Sequence, residues 1–314
     1  MKAVILSEFG GPEQLGLADA ADPVPGDGQV LIRVHAAGVN PVDAYNRADG
    51  SWAGISLPCI LGYDIAGVVE SLGPGVAGLS PGDRVMAMAH FPDGGGAYAE
   101  LAVVDVAQVA RIGPGTSFAE AAATPLAGGT AWLVLARLAL RPGSRLLVLG
   151  ASGGVGLFLL QLAAHRGIET IAVGRSAMHK QMLTLGASCC IDYTQEEPDQ
   201  RAIQRAGGPV DAIADLVGGP RLAIALGGLR PGGQVAAIET PQLDLDPLLD
   251  ANLTFHGVLI QDDGQRTREL AALLAERALQ PVISHQLPLA DAAEAHRILD
   301  QRHTGGKIVL NIVS

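Results

Sequence analysis

The sequence predicts an α/β protein of two domains: a compact antiparallel β domain, then a doubly wound domain on a parallel six-stranded sheet. Three observations predict it. At 314 residues the chain exceeds one ordinary core and fits two. Short β-like runs broken by Pro-Gly pairs fill residues 30–112, the rhythm of an antiparallel domain. From about residue 119 apolar strands alternate with helical segments, the pattern of a parallel sheet with crossover helices. Composition agrees, because 48% apolar residues, 17% charged residues and 41 glycines suit an α/β enzyme with many tight turns.

In the first domain Val30, Ile32 and Val34 share one face of a strand, and further runs follow at 66–70 and 84–87. Pro25-Gly26, Pro74-Gly75, Pro81-Gly82 and Pro114-Gly115 mark the turns. In the second domain strands are predicted at 145–149, 170–173, 189–191, 212–215, 234–238 and 254–260, with spacers that fit a helix or a turn and helix. A helix over 265–279 stops before Pro281. The tail carries one helix near 291–300 and a last β-like run over 307–312, which is expected to return to the first domain. The domains are therefore expected at 1–118 with 281–314, and at 119–280.

A formal net charge of −11 without any Lys/Arg run argues against general nucleic-acid affinity. Cys59, Cys189 and Cys190 cannot all pair and show no ligand spacing, which favours a reducing compartment. The first ten residues lack the apolar core of a signal peptide, so a cytoplasmic protein is expected. Residues 146–164 are free of charge, yet five of them are Gly or Ser grouped near the centre. A strand, turn and helix explain that stretch better than a membrane span.

That stretch is also the first candidate site. Leu146 to Leu149 form a buried-strand run, and Gly150, Ala151, Ser152, Gly153, Gly154, Val155 and Gly156 form a tight turn that opens a helix. Small residues let the backbone approach a pyrophosphate, and free N–H groups at the helix start supply the anion site. Alanine stands at 151, where the strict glycine register begins. The segment is predicted to bind a nicotinamide dinucleotide. No Asp or Glu lies between Glu169 and Asp192, where an NAD site places an acid on the ribose. Gly174 leaves room for a 2′-phosphate, and Arg175, Ser176 and Lys180 offer it hydrogen bonds, so NADPH is favoured over a merely solvated helix start.

With these motifs stand Ala36-Ala37-Gly38-Val39-Asn40-Pro41-Val42-Asp43, Leu61-Gly62-Tyr63-Asp64-Ile65-Ala66-Gly67 and Pro81-Gly82-Asp83-Arg84-Val85. Together they resemble the zinc-independent quinone oxidoreductase branch of the medium-chain dehydrogenase/reductase superfamily, over nearly the whole chain. The resemblance implies a GroES-like β domain, completed by the C-terminal tail, beside a Rossmann domain, with the active site in the cleft between them. It also implies NADPH, with Lys180 and Tyr193 at the adenosine 2′-phosphate and Thr130 near the nicotinamide ribose. Arg302 stands where relatives can carry a phosphate-binding arginine.

Zinc-dependent relatives place a cysteine where this chain has Asn40 and a histidine where it has Tyr63. The cysteines of a structural zinc lobe are absent from 90–100. No metal is expected. Without a Lewis acid, conjugated acceptors are the better substrates, because hydride addition to a quinone or enone gives an anion that conjugation already stabilises. Candidate donors to that oxygen are Asn40, Tyr45 and Tyr63. The competing structural roles are a turn residue before Pro41 for Asn40 and a wall aromatic for Tyr45. Asp43 and Asp64 can organise the loop through hydrogen bonds. Cys189-Cys190 read as structural thiols, and His296 and Arg297 as surface residues of a helix.

Three functions follow as expectations: an NADPH:quinone oxidoreductase, an NADPH-dependent alkenal, enone or enoyl-thioester reductase, and an NADPH-binding regulatory or stress protein with little catalysis. A homodimer is expected from the resemblance and from an apolar edge strand over 253–260.

Overall fold

The computed structural model describes residues 1–302 and 304–312. They divide into two compact units, one of Met1–Gly129 with the chain from Gln261 onward, the other of Thr130–Ile260.

In the first unit, one sheet runs in the order Ile283–Pro288, Lys307–Asn311, Gln29–Val39, Asp64–Leu72, Arg84–Met88, Ala110–Arg111, with Leu101–Asp105 also paired to Gln29–Val39. A three-stranded sheet of Leu15–Asp19, Lys2–Leu6 and Cys59–Ile60 accompanies it. Strand alternation decides what is inside: Ile32 and Val34 are fully buried, while Arg33 between them is exposed and paired to Glu70. The last strand returns to this unit as expected, pairing antiparallel with Gln29–Val39 so that Ile308 faces Val39 and Leu310 faces Ala37. That register carries Lys307 to the end of the strand where Asn40 begins the next helix.

The strand Ile283–Pro288 has no counterpart in the sequence reading. It is a polar edge strand, largely exposed and parallel to Lys307–Asn311, so it shows no apolar period. Residues 119–129 and 261–280 group with this unit too. Phe118–Ala122 packs on Gln29–Val39 and Asp64–Leu72, and Gly264–Ala275 packs on Arg84–Met88 and Ala110–Arg111. The latter helix ends before the predicted 279, because Arg277 takes a φ of 58° and turns the chain.

The second unit is the parallel sheet. Its order is Cys189–Ile191, Glu169–Val173, Arg145–Leu149, Val210–Asp215, Leu229–Ala237, Thr254–Gly257, the 3-2-1-4-5-6 order of a Rossmann fold. Every neighbouring pair is parallel. The charge-free stretch is explained by burial on both sides: Leu146 to Leu149 are fully buried, and the helix Gly154–His165 buries eight consecutive residues from Gly156 to Ala163. Among the described residues no helix is long and apolar enough to cross a membrane.

Candidate functional site

The turn after Arg145–Leu149 departs from the strict glycine register in a way that leaves its geometry intact. The left-handed residue is Gly150, with a φ of 80°, so Ala151 needs no unusual backbone; it is buried, and its N–H donates to the Val173 carbonyl at 3.1 Å. Gly153 caps the helix Gly154–His165 without any side-chain bond to the first turn, so Ser152, Gly154 and Val155 surround N–H groups with no side-chain acceptor. A Cβ at Gly156 would stand 2.5 Å from the Gly150 carbonyl oxygen and 2.6 Å from Ala151 Cα. Only glycine lets the helix lie this close to the turn.

Beside this turn, Gly174 serves packing rather than an open space: a Cβ there would stand 2.9 Å from Met182 Cε and 3.3 Å from Ser152 Cβ. Arg175, Ser176 and Lys180 are exposed, and Arg175 Nε donates to the Tyr193 hydroxyl at 2.9 Å. The acid missing from the second strand arrives from the third. Asp192 accepts from Ser176 N at 3.1 Å, Thr194 N at 2.9 Å and the Thr194 hydroxyl at 2.7 Å. Those bonds hold its carboxyl down to about 2 and tie the two strand ends together. Cys189 and Cys190 are free, half-buried thiols, and burial raises both, Cys190 to about 11. Thr130 is buried on the helix Pro125–Leu138. Arg302 belongs to the first unit, exposed and left-handed with a φ of 56° just after the helix Ala292–Asp300.

In the first unit Asn40 ends one strand and starts the helix Pro41–Asp49, and it is 1% exposed. Its amide is engaged at both ends: one N–H of Nδ2 donates to Asp64 Oδ2 at 2.9 Å, and Oδ1 accepts from Lys307 Nζ. Lys307 Nζ also reaches the Val39 carbonyl at 3.1 Å and Asp64 Oδ2 at 3.4 Å. The other oxygen of Asp64 accepts the Leu126 N–H at 2.7 Å, at the start of Pro125–Leu138. Burial pushes the Asp64 carboxyl up, and Lys307 with the three hydrogen bonds opposes it. An ammonium bound to the Asn40 oxygen also leaves that position unsuited to a dication. Among the described residues no group of three His, Cys, Asp or Glu side chains could hold a metal ion.

Tyr63 is likewise interior. Its hydroxyl donates to the Pro92 carbonyl at 2.7 Å and accepts from Asn46 Nδ2 at 2.5 Å, while its ring lies 5.1 Å from Phe91. Asn40 and Tyr63, expected as donors to an acceptor oxygen, are both interior, with the Tyr63 hydroxyl proton and one Asn40 amide N–H given to protein acceptors. Tyr45 is 41% exposed, on the helix that Asn40 and Asn46 anchor.

His296, read from the sequence as a surface residue, is fully buried. The helix Ala292–Asp300 turns it into the core with Ala292 and Ala295, leaving Arg297 outside. Arg47 reaches His296 Nδ1 at 3.3 Å, the Gly10 carbonyl at 3.1 Å and Asp300 at 2.9 Å. A guanidinium only donates, so Nδ1 accepts and the neutral ring carries its proton on Nε2. That N–H faces the Tyr98 hydroxyl at 3.3 Å, which donates to Asp43 Oδ2 at 2.8 Å. Asp43 also accepts the Asn40 N–H at 2.8 Å. Burial pushes the Asp43 carboxyl to about 7, and burial with the Arg47 charge pushes His296 down to about 3. Asp43 Oδ1 is a buried oxygen without a partner, and a proton on it removes an unanswered negative charge there. No spacing in the sequence announces Lys307, Tyr98, Arg47 or His296, because each partner lies dozens to hundreds of residues away.

Lys307→Met strands the Asp64 carboxylate in the core. Chemical denaturation at pH 8 should show a loss of about 3–5 kcal/mol, shrinking as acid neutralises Asp64; a loss near zero would mean the pair is not buried in solution. A second expectation concerns acid. The unfolded chain protonates His296 near pH 6.5 and the folded chain does not, so that group loses stability as pH falls below 6.5. Asp43 does the opposite, taking its proton near pH 7 when folded and near 4 when unfolded. Asp43→Asn removes the compensation. Between pH 6.5 and 4.5 it should lose up to about 1.4 kcal/mol per pH unit relative to wild type in parallel unfolding titrations; identical slopes would contradict a proton on Asp43.

Two family models match the chain: the alcohol dehydrogenase GroES-like domain over residues 26–114 and the zinc-binding dehydrogenase over 185–310. Human quinone oxidoreductase is 33% identical over 323 residues, covering 99% of this chain and 97% of that protein. The chloroplastic NADPH-dependent alkenal/one oxidoreductase of Arabidopsis thaliana is 32% identical over 321 residues, 99% of this chain and 79% of that protein. The solved quinone oxidoreductase of Coxiella burnetii superposes with a TM-score of 0.91 at 32% identity, covering 100% of this chain and 99% of that one. With the glycine turn on the first strand of a Rossmann sheet and an amide and a phenol in place of zinc ligands, the chain belongs to the quinone oxidoreductase family of the medium-chain dehydrogenases/reductases.

Proposed function

We propose that this protein is an NADPH-dependent, zinc-independent reductase that delivers hydride to a quinone. The observation that carries the reading is the basic, acid-poor end of the second strand, where Arg175, Ser176 and Lys180 stand exposed around Tyr193. Asp192, next to Ser176, has both oxygens committed to the loop. The turn from Gly150 to Gly156 takes the pyrophosphate, and Arg175, Lys180 and Tyr193 take the 2′-phosphate, with Thr130 toward the nicotinamide and Arg302 as a further phosphate arginine. NADPH, when bound, supplies the hydride. Tyr45 donates to the acceptor oxygen as negative charge develops there. Asn40 and Tyr63 are positioning residues: one fixes the first turn of Pro41–Asp49 and the other, through Asn46, its middle.

The Arabidopsis relative favours a second reading, in which the same hydride chemistry serves alkenals or enones. Steady-state rates on a quinone panel and an enone panel separate the two. Tight nucleotide binding without single-turnover hydride transfer to any acceptor would favour instead a regulatory or stress role. We further propose a homodimer formed at the edge strand Thr254–Gly257, where Phe255 and nearby Leu259 are exposed; a monomeric mass by gel filtration would refute it.

Arg175→Ala should weaken NADPH binding by about 10- to 100-fold, the range of one charge-assisted hydrogen bond, and leave NADH binding nearly unchanged. Equal losses for both would contradict the phosphate assignment. Tyr45→Phe should lower kcat on the order of 100-fold with NADPH affinity unaltered, and an unchanged kcat would remove Tyr45 from the chemistry.

A further inference from the structure

Along one side of the helix Gly264–Ala275 the first unit holds a groove of about 440 Å3 that the proposed chemistry does not use. At its start the helix lies against backbone: a Cβ at Gly264 would stand 1.6 Å from the Ala107 carbonyl oxygen. Further along, Ala271, Ala272 and Ala275 line the groove together with Leu79, Val106 and Val109. Small side chains there leave apolar surface in water that larger ones would cover.

The walls are braced. Asp83 accepts from Arg111 Nη2 at 2.7 Å and from the Ser80 N–H at 2.8 Å, which ties the turn after Leu79 to the strand Ala110–Arg111. Beyond the end of the helix, Arg277 donates to Glu120 at 2.7 Å and to the Gly115 carbonyl at 2.5 Å. A groove held on both sides keeps its shape before a ligand arrives, which lowers the cost of binding. Its charge is one-sided. Two guanidinium groups stand on it, and among the described residues no Asp or Glu lines it. Arg111 is answered by Asp83. Arg268 gives one bond, from Nη1 to the Ala107 carbonyl at 3.3 Å, and meets no carboxylate among the described residues. On a chain of net charge −11, such a cation beside an apolar groove complements a ligand that joins an anionic head to an apolar body.

We propose that this groove binds an amphipathic monocarboxylate, its carboxylate on Arg268 and its chain along Val106, Val109, Ala271 and Ala275. The volume admits roughly 15 heavy atoms at about 30 Å3 each, the size of a medium-chain acid. A sugar phosphate or a dicarboxylate would bring polar groups that the apolar floor cannot answer.

The test uses the whole chain and three probes, octanoate, 1-octanol and acetate, titrated calorimetrically at fixed salt. Octanoate should bind saturably. 1-Octanol, the chain without the charge, should bind more weakly, and acetate, the charge without the chain, not at all. Arg268→Gln should lower the octanoate affinity about 10-fold or more, the worth of one charge-assisted hydrogen bond, and bring it to that of 1-octanol. Ala272→Phe, which fills the groove from an exposed position, should abolish binding of both. Thermal melts followed by circular dichroism check that both variants keep the fold. Equal wild-type affinities for octanoate and 1-octanol, octanoate binding that either variant leaves unchanged, or uptake that never saturates would each overturn the proposal. So would a wild type that binds no octanoate but falls in mass by gel filtration on Arg268→Gln, which would assign the groove to an acidic segment of a second copy.

Discussion

The buried carboxylate of Asp64 is the constraint on which the first unit depends. A charge with no exposure to water must be answered at once by several donors, and here the answer comes from three distant parts of the chain: the Asn40 amide, the Lys307 ammonium and the Leu126 N–H. Each donor fixes an element: the start of Pro41–Asp49, the last strand and the start of Pro125–Leu138. The cluster thereby anchors the helix that carries Tyr45.

A second buried chain, Arg47 to His296 to Tyr98 to Asp43, meets the first at the Asn40 backbone. Its hydrogen bonds run in one direction because the guanidinium cannot accept. That direction fixes the histidine tautomer and sends the last donor to a carboxyl that itself favours a proton. The network is neutral at its centre and charged only where Arg47 meets Asp300 near the surface. A neutral interior lets a polar cluster remain buried without a counter-ion for every member.

The parallel sheet and the glycine turn are legible in the sequence because they rest on local signals: uninterrupted apolar strands, small residues at the turn and the distance to the next acid. The largely polar edge strand Ile283–Pro288 is not legible, having one neighbour and no fully buried residue. The residues proposed for the nucleotide are legible in sequence because they cluster near strand ends of the parallel sheet; the buried cluster of the first unit is less so. Asp43 and Asp64 are recognisable as organisers of the loop, but Lys307 is separated from Asp64 by 243 positions and His296 from Tyr98 by 198. Asn40 and Tyr63 stand where the family resemblance draws attention, yet their burial assigns them to support rather than to the acceptor.

The return of the last strand to the first sheet also fixes an order of events during synthesis. The second unit is a continuous segment, Thr130–Ile260, and every strand of its sheet has left the ribosome before the first unit has all of its own. The first unit is interrupted, and the cation that answers Asp64 follows the whole of the second unit in the chain. Until Lys307 arrives, the carboxylate has either to stay hydrated or to hold a proton, so the central strands of that sheet cannot close dry around it. The emergence of Lys307, rather than local propensity, then times the completion of the unit that carries Tyr45.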